Sequence, residues 1–242
     1  MGKTAGACSS GLGTILFNLD LPNATRYARS KKRDPDGRVM EVELPPFEER
    51  KLPVFDLMGE ISRSVADPRQ EVAEVVVTDP MGELYRRLLE EVSNRSIHPT
   101  FDHRLWVTTQ IERYCRFLCE LPTISAIFVC HELPVKDEST ESFERLPFTG
   151  TTNINLGAKL MSMVDVIAYA GVSVQENGAK EYGAQLIIDQ GRRGGDRFDC
   201  LGDYRPLDLK DWFAAIAGAE VADLSAETSS EEPAGKPVAE AA

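Results

Sequence analysis

Three short apolar runs recur along the chain, and each ends on an ionisable residue: Thr14–Asp20, Val72–Asp79, and Ile124–Cys130, which leads into His131-Glu132. Runs of this length are too short for buried helices and read as strands hidden on both faces. Between them lie stretches with helical spacing: 54–66 (Phe55, Met58, Ile61), 81–93 and 102–121. Strands alternating with helices predict an α/β fold with a mainly parallel sheet and helices on both faces. In such sheets ligands bind beyond the carboxyl ends of the strands. Asp20, Asp79, His131 and Glu132 all fall at that edge, which marks it as the first place to look for a site.

The remaining segments fill in the pattern. Residues 21–38 are rich in Pro, Asn, Asp, Arg and Lys and read as a loop, with a basic cluster at Arg26, Arg29, Lys31, Lys32 and Arg33. Residues 39–44 alternate as an edge strand does. The polar stretch 133–152 reads as a loop, 153–163 as a helix, and 164–170 and 184–189 as strands. Gly191–Gly195 is a glycine- and arginine-rich turn, and Asp208–Ala217 an amphipathic helix. From Ala219 the Ala/Glu/Ser/Pro composition predicts disorder. The expected organisation is one domain over 1–218 and an acidic tail over 219–242.

Net charge is −12. An acidic chain does not coat its whole surface with nucleic acid, although a local basic groove is compatible with that charge. No run approaches the roughly 18 apolar residues of a membrane span, and residues after Lys3 lack the apolar core of a signal peptide. The expectation is a cytoplasmic protein with no membrane partner. The five cysteines are odd in number, which argues against a disulfide framework. Cys115 and Cys119 stand one helical turn apart, but they fall on an apolar face.

At the amino end stands Gly2-Lys3-Thr4. A phosphate-binding loop ends in Gly-Lys-Ser/Thr: backbone N–H groups and the Lys meet the phosphates, and the hydroxyl meets Mg2+. Residues Ala5–Ser10 can begin the helix that follows such a loop. The second half of that chemistry is a carboxylate at the end of an apolar strand, and Val75–Asp79 supplies one.

In order and spacing the chain resembles phage-type AAA/RecA-like P-loop ATPases, including Sak-type recombination ATPases. The resemblance runs from Gly2 to about Ile216, through Gly2-Lys3-Thr4, Ile15–Asp20, Val75–Asp79, Phe128–Glu132, Val164–Ile167 and Gly191–Gly202. It implies a RecA-like fold and an enzyme that binds ATP and hydrolyses its γ-phosphate with Mg2+. That enzyme would work in DNA recombination or replication in the bacterial host cytosol, as a homo-oligomer that meets single-stranded DNA. Gly2, Lys3 and Thr4 would hold the nucleotide, and Thr4 and Asp79 the metal. His131 would sense the γ-phosphate. Asp79 is followed by Pro80 where many AAA enzymes have Glu, so the resemblance leaves Asp20 and Glu132 as candidates to orient the attacking water. Arg192, Arg193 and Arg197 would act as fingers on a neighbouring protomer's nucleotide, although Gly195 stands where relatives often have Lys.

The fold so implied has a strand ahead of the loop, central in the sheet between 124–130 and 164–170. The sequence as written starts inside the loop. It is therefore expected to be a truncated reading of a longer gene, with weak or no ATP binding on its own. Two other functions stay open at this point: a nucleotide-binding or assembly module without turnover, and a metal-binding regulator using Cys115, Cys119, Cys130 and His131.

Overall fold

The computed structural model describes residues 2–20, 34, 36–43, 52–67, 73–136, 143–151, 154–174, 180–189 and 191–229, with the side chains of 43, 154, 173–174, 180–181 and 220–229 left aside. The first half begins with α1 (Gly2–Ala7), β1 (Thr14–Asn18) and β2 (Val39–Glu43). Then come α2 (Val54–Ala66), β3 (Val75–Asp79), α3 (Met81–Val92), α4 (Phe101–Cys119) and β4 (Ser125–Phe128). The four strands form one all-parallel sheet in the order β2-β1-β3-β4. Helix–strand alternation thus produces the parallel sheet read from the sequence.

Each face of the sheet takes alternate residues of the strands, as period-2 geometry requires. Ile15, Phe17, Leu19 and Val76 face α2, α3, α4 and the later α5. Leu16, Val75 and Val77 face α1, through Ala5, Ala7 and Cys8. The helices bury residues at helical spacing: Val54, Met58, Ile61 and Val65 on α2, and Met81, Leu84, Tyr85 and Leu88 on α3. Thr100 caps α4 in a reciprocal box, its hydroxyl accepting from the His103 N–H while His103 Nδ1 accepts from the Thr100 N–H, both at 3.3 Å. Tyr114 ties α4 to the sheet, its hydroxyl 3.1 Å from Thr78 Oγ1.

The second half departs from the sequence reading in three places. Residues 133–152 were expected to be a loop, but β5 (His131–Lys136) and β6 (Phe143–Phe148) pair antiparallel from His131↔Phe148 to Lys136↔Phe143. Pro134 and Pro147 look like strand breakers in sequence; here Leu133 and Val135 alternate with Glu132, Pro134 and Lys136, and the pairing runs through both prolines. After α5 (Ile154–Met163), the expected strand 164–170 splits into β7 (Val166–Ile167) and the start of β8 (Tyr169–Val174). Neither joins the parallel sheet. The chain continues through β9 (Lys180–Gln185), β10 (Ile188–Asp189), β11 (Arg192–Arg193), β12 (Gly195–Asp196) and β13 (Tyr204–Pro206). β7 pairs with β12, β8 with β9, and β11 with β6. Among the described residues, β4 is left with one unpaired edge.

The third departure is α6 (Leu209–Ser229), which covers the first eleven residues, 219–229, of the stretch where disorder was expected. Its Ala-rich sequence has high helix propensity, which extends the helix into the stretch whose composition reads as disorder. The remainder of the expected tail, and the basic cluster Arg26–Arg33, lie outside the described residues. Among those described, no helix is long and apolar enough to cross a membrane.

Candidate functional site

The candidate site sits at the carboxyl edge of the parallel sheet, where α1 crosses β3 and β4. Burial of Ala5, Ala7 and Cys8 against Leu16, Val75 and Val77 fixes α1 on the sheet. Its first turn then carries Lys3 and Thr4 over the strand ends. Gly6 lets α1 approach the segment before α6: a Cβ there would stand 2.3 Å from Leu207 Cγ and Cδ2. Ser9 Oγ completes the seat by accepting from the Leu209 N–H at 2.8 Å.

Three contacts define the site. Thr4 Oγ1 donates to Asp79 Oδ2, closing a loop of 75 residues. Lys3 Nζ donates to the Cys130 carbonyl at 3.2 Å and lies 3.4 Å from His131 Nδ1. Asp79 is only 7% exposed. Burial pushes its carboxyl above the ordinary range, while the Thr4 hydrogen bond and Lys3 charge pull it back and Asp20 pushes it further up. The net rise shows that desolvation wins over both partners. Asp20 itself is exposed. Its position follows from the Leu19 N–H, which donates to the Asp79 carbonyl at 2.9 Å and carries the β1–β3 ladder one residue further.

Lys3, Thr4, Asp79 and His131 therefore converge, with Gly2 beside Lys3 at the start of α1 and Asp20 within electrostatic reach of Asp79. Glu132, one residue from His131, instead enters a second cluster. Arg145 Nη1 and Arg192 Nε donate to its two oxygens at 2.7 and 2.9 Å. Burial works against the Glu132 carboxylate, but these two arginines outweigh it and hold its carboxyl below the ordinary range. Arg192 also donates to Gln185 at 3.0 Å and lies over the Tyr169 ring, 5.4 Å from its centroid. Arg193 pairs with Glu144 at 2.5 Å, and Arg197 with Asp165 at 2.9 Å. The three arginines thus face carboxylates of their own chain.

Two residues of the site escaped the sequence reading. Asn18 is 1% exposed in β1, and its Nδ2 donates to Glu41 Oε1 at 2.7 Å. The signal for it was present: one amide inside an otherwise apolar run. The cysteines do not gather into a metal centre. Burial pushes the Cys115 thiol well up and the Cys130 thiol to about 12. Among the described residues, no group of three or more His, Cys, Asp and Glu side chains is placed to hold a metal ion. No family model matches the chain, and no curated protein matches it.

Proposed function

We propose that the chain is a P-loop-type ATPase of RecA-like architecture, with ATP and Mg2+ taken up at the carboxyl edge beside α1 and β3. The observation that carries this reading is the hydrogen bond from Thr4 to Asp79. P-loop enzymes hold Mg2+ between a loop Ser/Thr and a strand-end Asp, and here those two oxygens are already in contact. Both are hard donors, and Mg2+ takes the rest of its shell from water and phosphate, so the donor set fits. Bound there, Mg2+ would supply charge neutralisation at the γ-phosphate.

The chain's own residues have separable tasks. Among the described residues Lys3 Nζ meets the Cys130 carbonyl and the Nδ1 edge of the His131 ring. A phosphate is the stronger partner for its ammonium. His131 lies beside it to contact the same phosphate. Asp79 accepts from Thr4 and orients the metal's shell. Asp20, two residues past β1 and within electrostatic reach of Asp79, is a candidate for holding the attacking water, as is Glu132, which meets Arg145 and Arg192. Single-stranded DNA, homo-oligomers, phage recombination or replication and the host cytosol come with the resemblance and stand or fall with it.

A nucleotide-binding module without turnover is the second reading, and one observation favours it: Glu132, Arg192, Arg193 and Arg197 are all spent on intrachain ion pairs. A fluorescent ATP analogue, titrated to millimolar with and without Mg2+, tests both readings. On the first, Lys3→Ala weakens binding by about tenfold or more, the scale of a lost charge-assisted hydrogen bond. Thr4→Val and Asp79→Asn remove the Mg2+ dependence, and phosphate release rises with single-stranded DNA. Binding without phosphate release supports the second reading. Identical nucleotide responses from the wild type and all three variants would refute both.

A further inference from the structure

The outer surface of α4 carries side chains that the core does not use. The helix buries Val107, Ile111, Tyr114, Cys115 and Leu118, and helical periodicity turns the opposite stripe outward. Leu105, Trp106 and Phe117 lie on that stripe and are exposed. The Trp106 ring packs on Phe55 of α2 with centroids 5.3 Å apart, and both rings remain exposed. Exposed apolar surface gathered in one place marks an interaction site. The stripe is also polarised along its length. Asp102 lies near its amino end, and Arg113 and Arg116 near its carboxyl end. Arg116 meets Glu112 at 3.5 Å, but Lys159 meets the same carboxylate more closely, at 2.7 Å, and the Arg116 side chain stays 55% exposed. Between the two ends sits Thr109, whose hydroxyl turns back onto the Leu105 carbonyl at 2.8 Å.

We propose that this face of α4 is a docking surface for a second copy of the chain, packed antiparallel about a two-fold axis at Thr109. The charge pattern selects that occupant. Thr109 stands seven residues from Asp102 and seven from Arg116, so the axis sets Asp102 opposite Arg116 of the partner subunit, and symmetry repeats the pair at the other end. Trp106, three residues from the axis, meets the partner's Arg113, and a guanidinium over an indole is a favourable contact. Glu120, at the helix cap, falls past the end of the paired stretch. A parallel copy would instead set Asp102 on Asp102 and Arg116 on Arg116. A nucleic acid or an anionic membrane would be repelled by Asp102 and by the net charge of −12. The 19 residues of α4 span about 28 Å. With the edge of α2 beside it the face is about 20 Å wide, so each copy buries about 500–600 Å2, the low end of specific interfaces. The dimer is therefore weak and concentration-dependent. It uses neither nucleotide nor the Lys3–Thr4 edge, so it does not depend on the ATPase reading.

The test is a charge reversal read by sedimentation equilibrium, on the full chain from micromolar to millimolar concentration. The wild type should dimerise reversibly. Asp102→Lys and Arg116→Glu each turn two attractive pairs into two repulsive ones, and each should weaken the dimer about tenfold or more. Combined, they restore both pairs with the signs exchanged and should recover most of the affinity. A cross-link gives a second result that does not depend on helix charge. In a background with the exposed Cys119 changed to Ser, Thr109→Cys places one thiol from each copy at the axis. Helices 8–10 Å apart bring those Cα atoms to about 5 Å, within disulfide range. Mild oxidation should therefore cross-link Thr109→Cys much faster than Ile188→Cys, an exposed position away from α4. A wild type that stays monomeric at millimolar concentration overturns the proposal. So does a dimer that ignores both single reversals, a double reversal no better than the singles, or a Thr109→Cys chain that cross-links no faster than Ile188→Cys. A monomer that binds a different protein through Trp106 overturns it equally.

Discussion

Replacing Gly6 by Ala adds one methyl group where α1 meets the segment before α6. The added Cβ would lie 2.3 Å from both Cγ and Cδ2 of Leu207. Carbon pairs are most stable at about 3.5–4.0 Å, so both contacts overlap by more than 1 Å. Rotation of a terminal methyl cannot clear Cγ, and α1 cannot retreat, because Ala5, Ala7 and Cys8 are packed on Leu16, Val75 and Val77 behind it. Overpacking of this kind costs about 1–3 kcal/mol. Against it, Ala in place of Gly in a helix gains about 0.5–1 kcal/mol. The net expectation is a loss of about 1 kcal/mol, or about 2–4 °C in Tm for a chain of this size. Urea unfolding of the wild type, Gly6→Ala, Leu207→Ala and the double variant measures it. Removing Leu207 removes the clash and leaves the helix gain, so Gly6→Ala should destabilise the wild-type background and stabilise the Leu207→Ala background. The same four proteins report on the site: Gly6→Ala alone should weaken nucleotide binding, because α1 carries Lys3 and Thr4. Stabilisation by Gly6→Ala in both backgrounds would refute the reasoning, since Leu207 would then not be what holds α1 against the sheet.

Asp79→Asn should raise stability at neutral pH while abolishing the Mg2+ response. The folded-state carboxyl is held above its ordinary range, chiefly by burial. Its favourable contribution is therefore present only below the ordinary Asp range and is lost as pH rises through the raised value. The urea midpoint of Asp79→Asn should exceed the wild type at pH 7 and converge on it in acid; a deficit unchanged with pH would contradict this. Tyr114→Phe should cost about 1–3 kcal/mol by leaving the buried Thr78 hydroxyl without its partner. Thr78→Val added to it should recover most of that loss in the same unfolding assay. Asp196 accepts from the N–H groups of Phe198, Cys200 and Leu201 at 2.9, 2.8 and 2.7 Å. Burial opposes its charge, but those N–H groups prevail and hold its carboxyl below the ordinary range. Its stabilising contribution is present above the ordinary Asp range and lost as pH falls through the lowered value. Asp196→Ala should therefore destabilise at neutral pH and cease to differ from the wild type in strong acid, as read by thermal melts across pH.

The parallel sheet was legible because its strands are buried on both faces, and burial writes itself into sequence as an unbroken apolar run. Val75–Val77 and Ile15–Phe17 could fold into little else between helices of the observed spacing. The β5–β6 hairpin was not legible. Its strands cover one face only, and Pro134 and Pro147 carry turn-like signals that cross-strand pairing overrides. The segment 164–170 shows the opposite error: an apolar run read as a core strand is shared between two short antiparallel pairings, because Gly195-Asp196 folds back onto Val166-Ile167. At the candidate edge, Lys3 and Thr4 were read from the Gly-Lys-Thr motif and Asp79 and His131 from strand-end position, and the fold brings the four side chains together. Asn18 announced itself only as an amide inside an apolar run, and its partner Glu41, 23 residues away, has no local signature. The arginines of the Gly-rich turn were read for flexibility, and long-range carboxylates from β5, β6 and the α5–β7 junction instead hold them in place.

The candidate edge is also where this chain breaks the rules that the rest of its core obeys. Asp79 ends a strand whose other side chains are apolar or hydrogen-bonded. Asn18 interrupts an apolar run, and Gly6 weakens the short helix that carries Lys3 and Thr4. Each departure costs stability by itself: a desolvated charge, a buried amide, a glycine inside a helix. Asn18 and Asp79 are register partners at the ends of adjacent strands, and Gly6 lies on α1, two residues past Thr4, over the sheet face that α1 covers. Departures scattered at random would show drift; departures gathered at the carboxyl ends of parallel strands fall where such folds bind ligands. The raised Asp79 carboxyl adds a direction to this argument. Lys3 and Thr4 do not compensate it fully, so the folded chain stands to gain from further positive charge at that point. On the ATPase reading, a cation brought to Asp79 by a ligand would stabilise the fold by linkage.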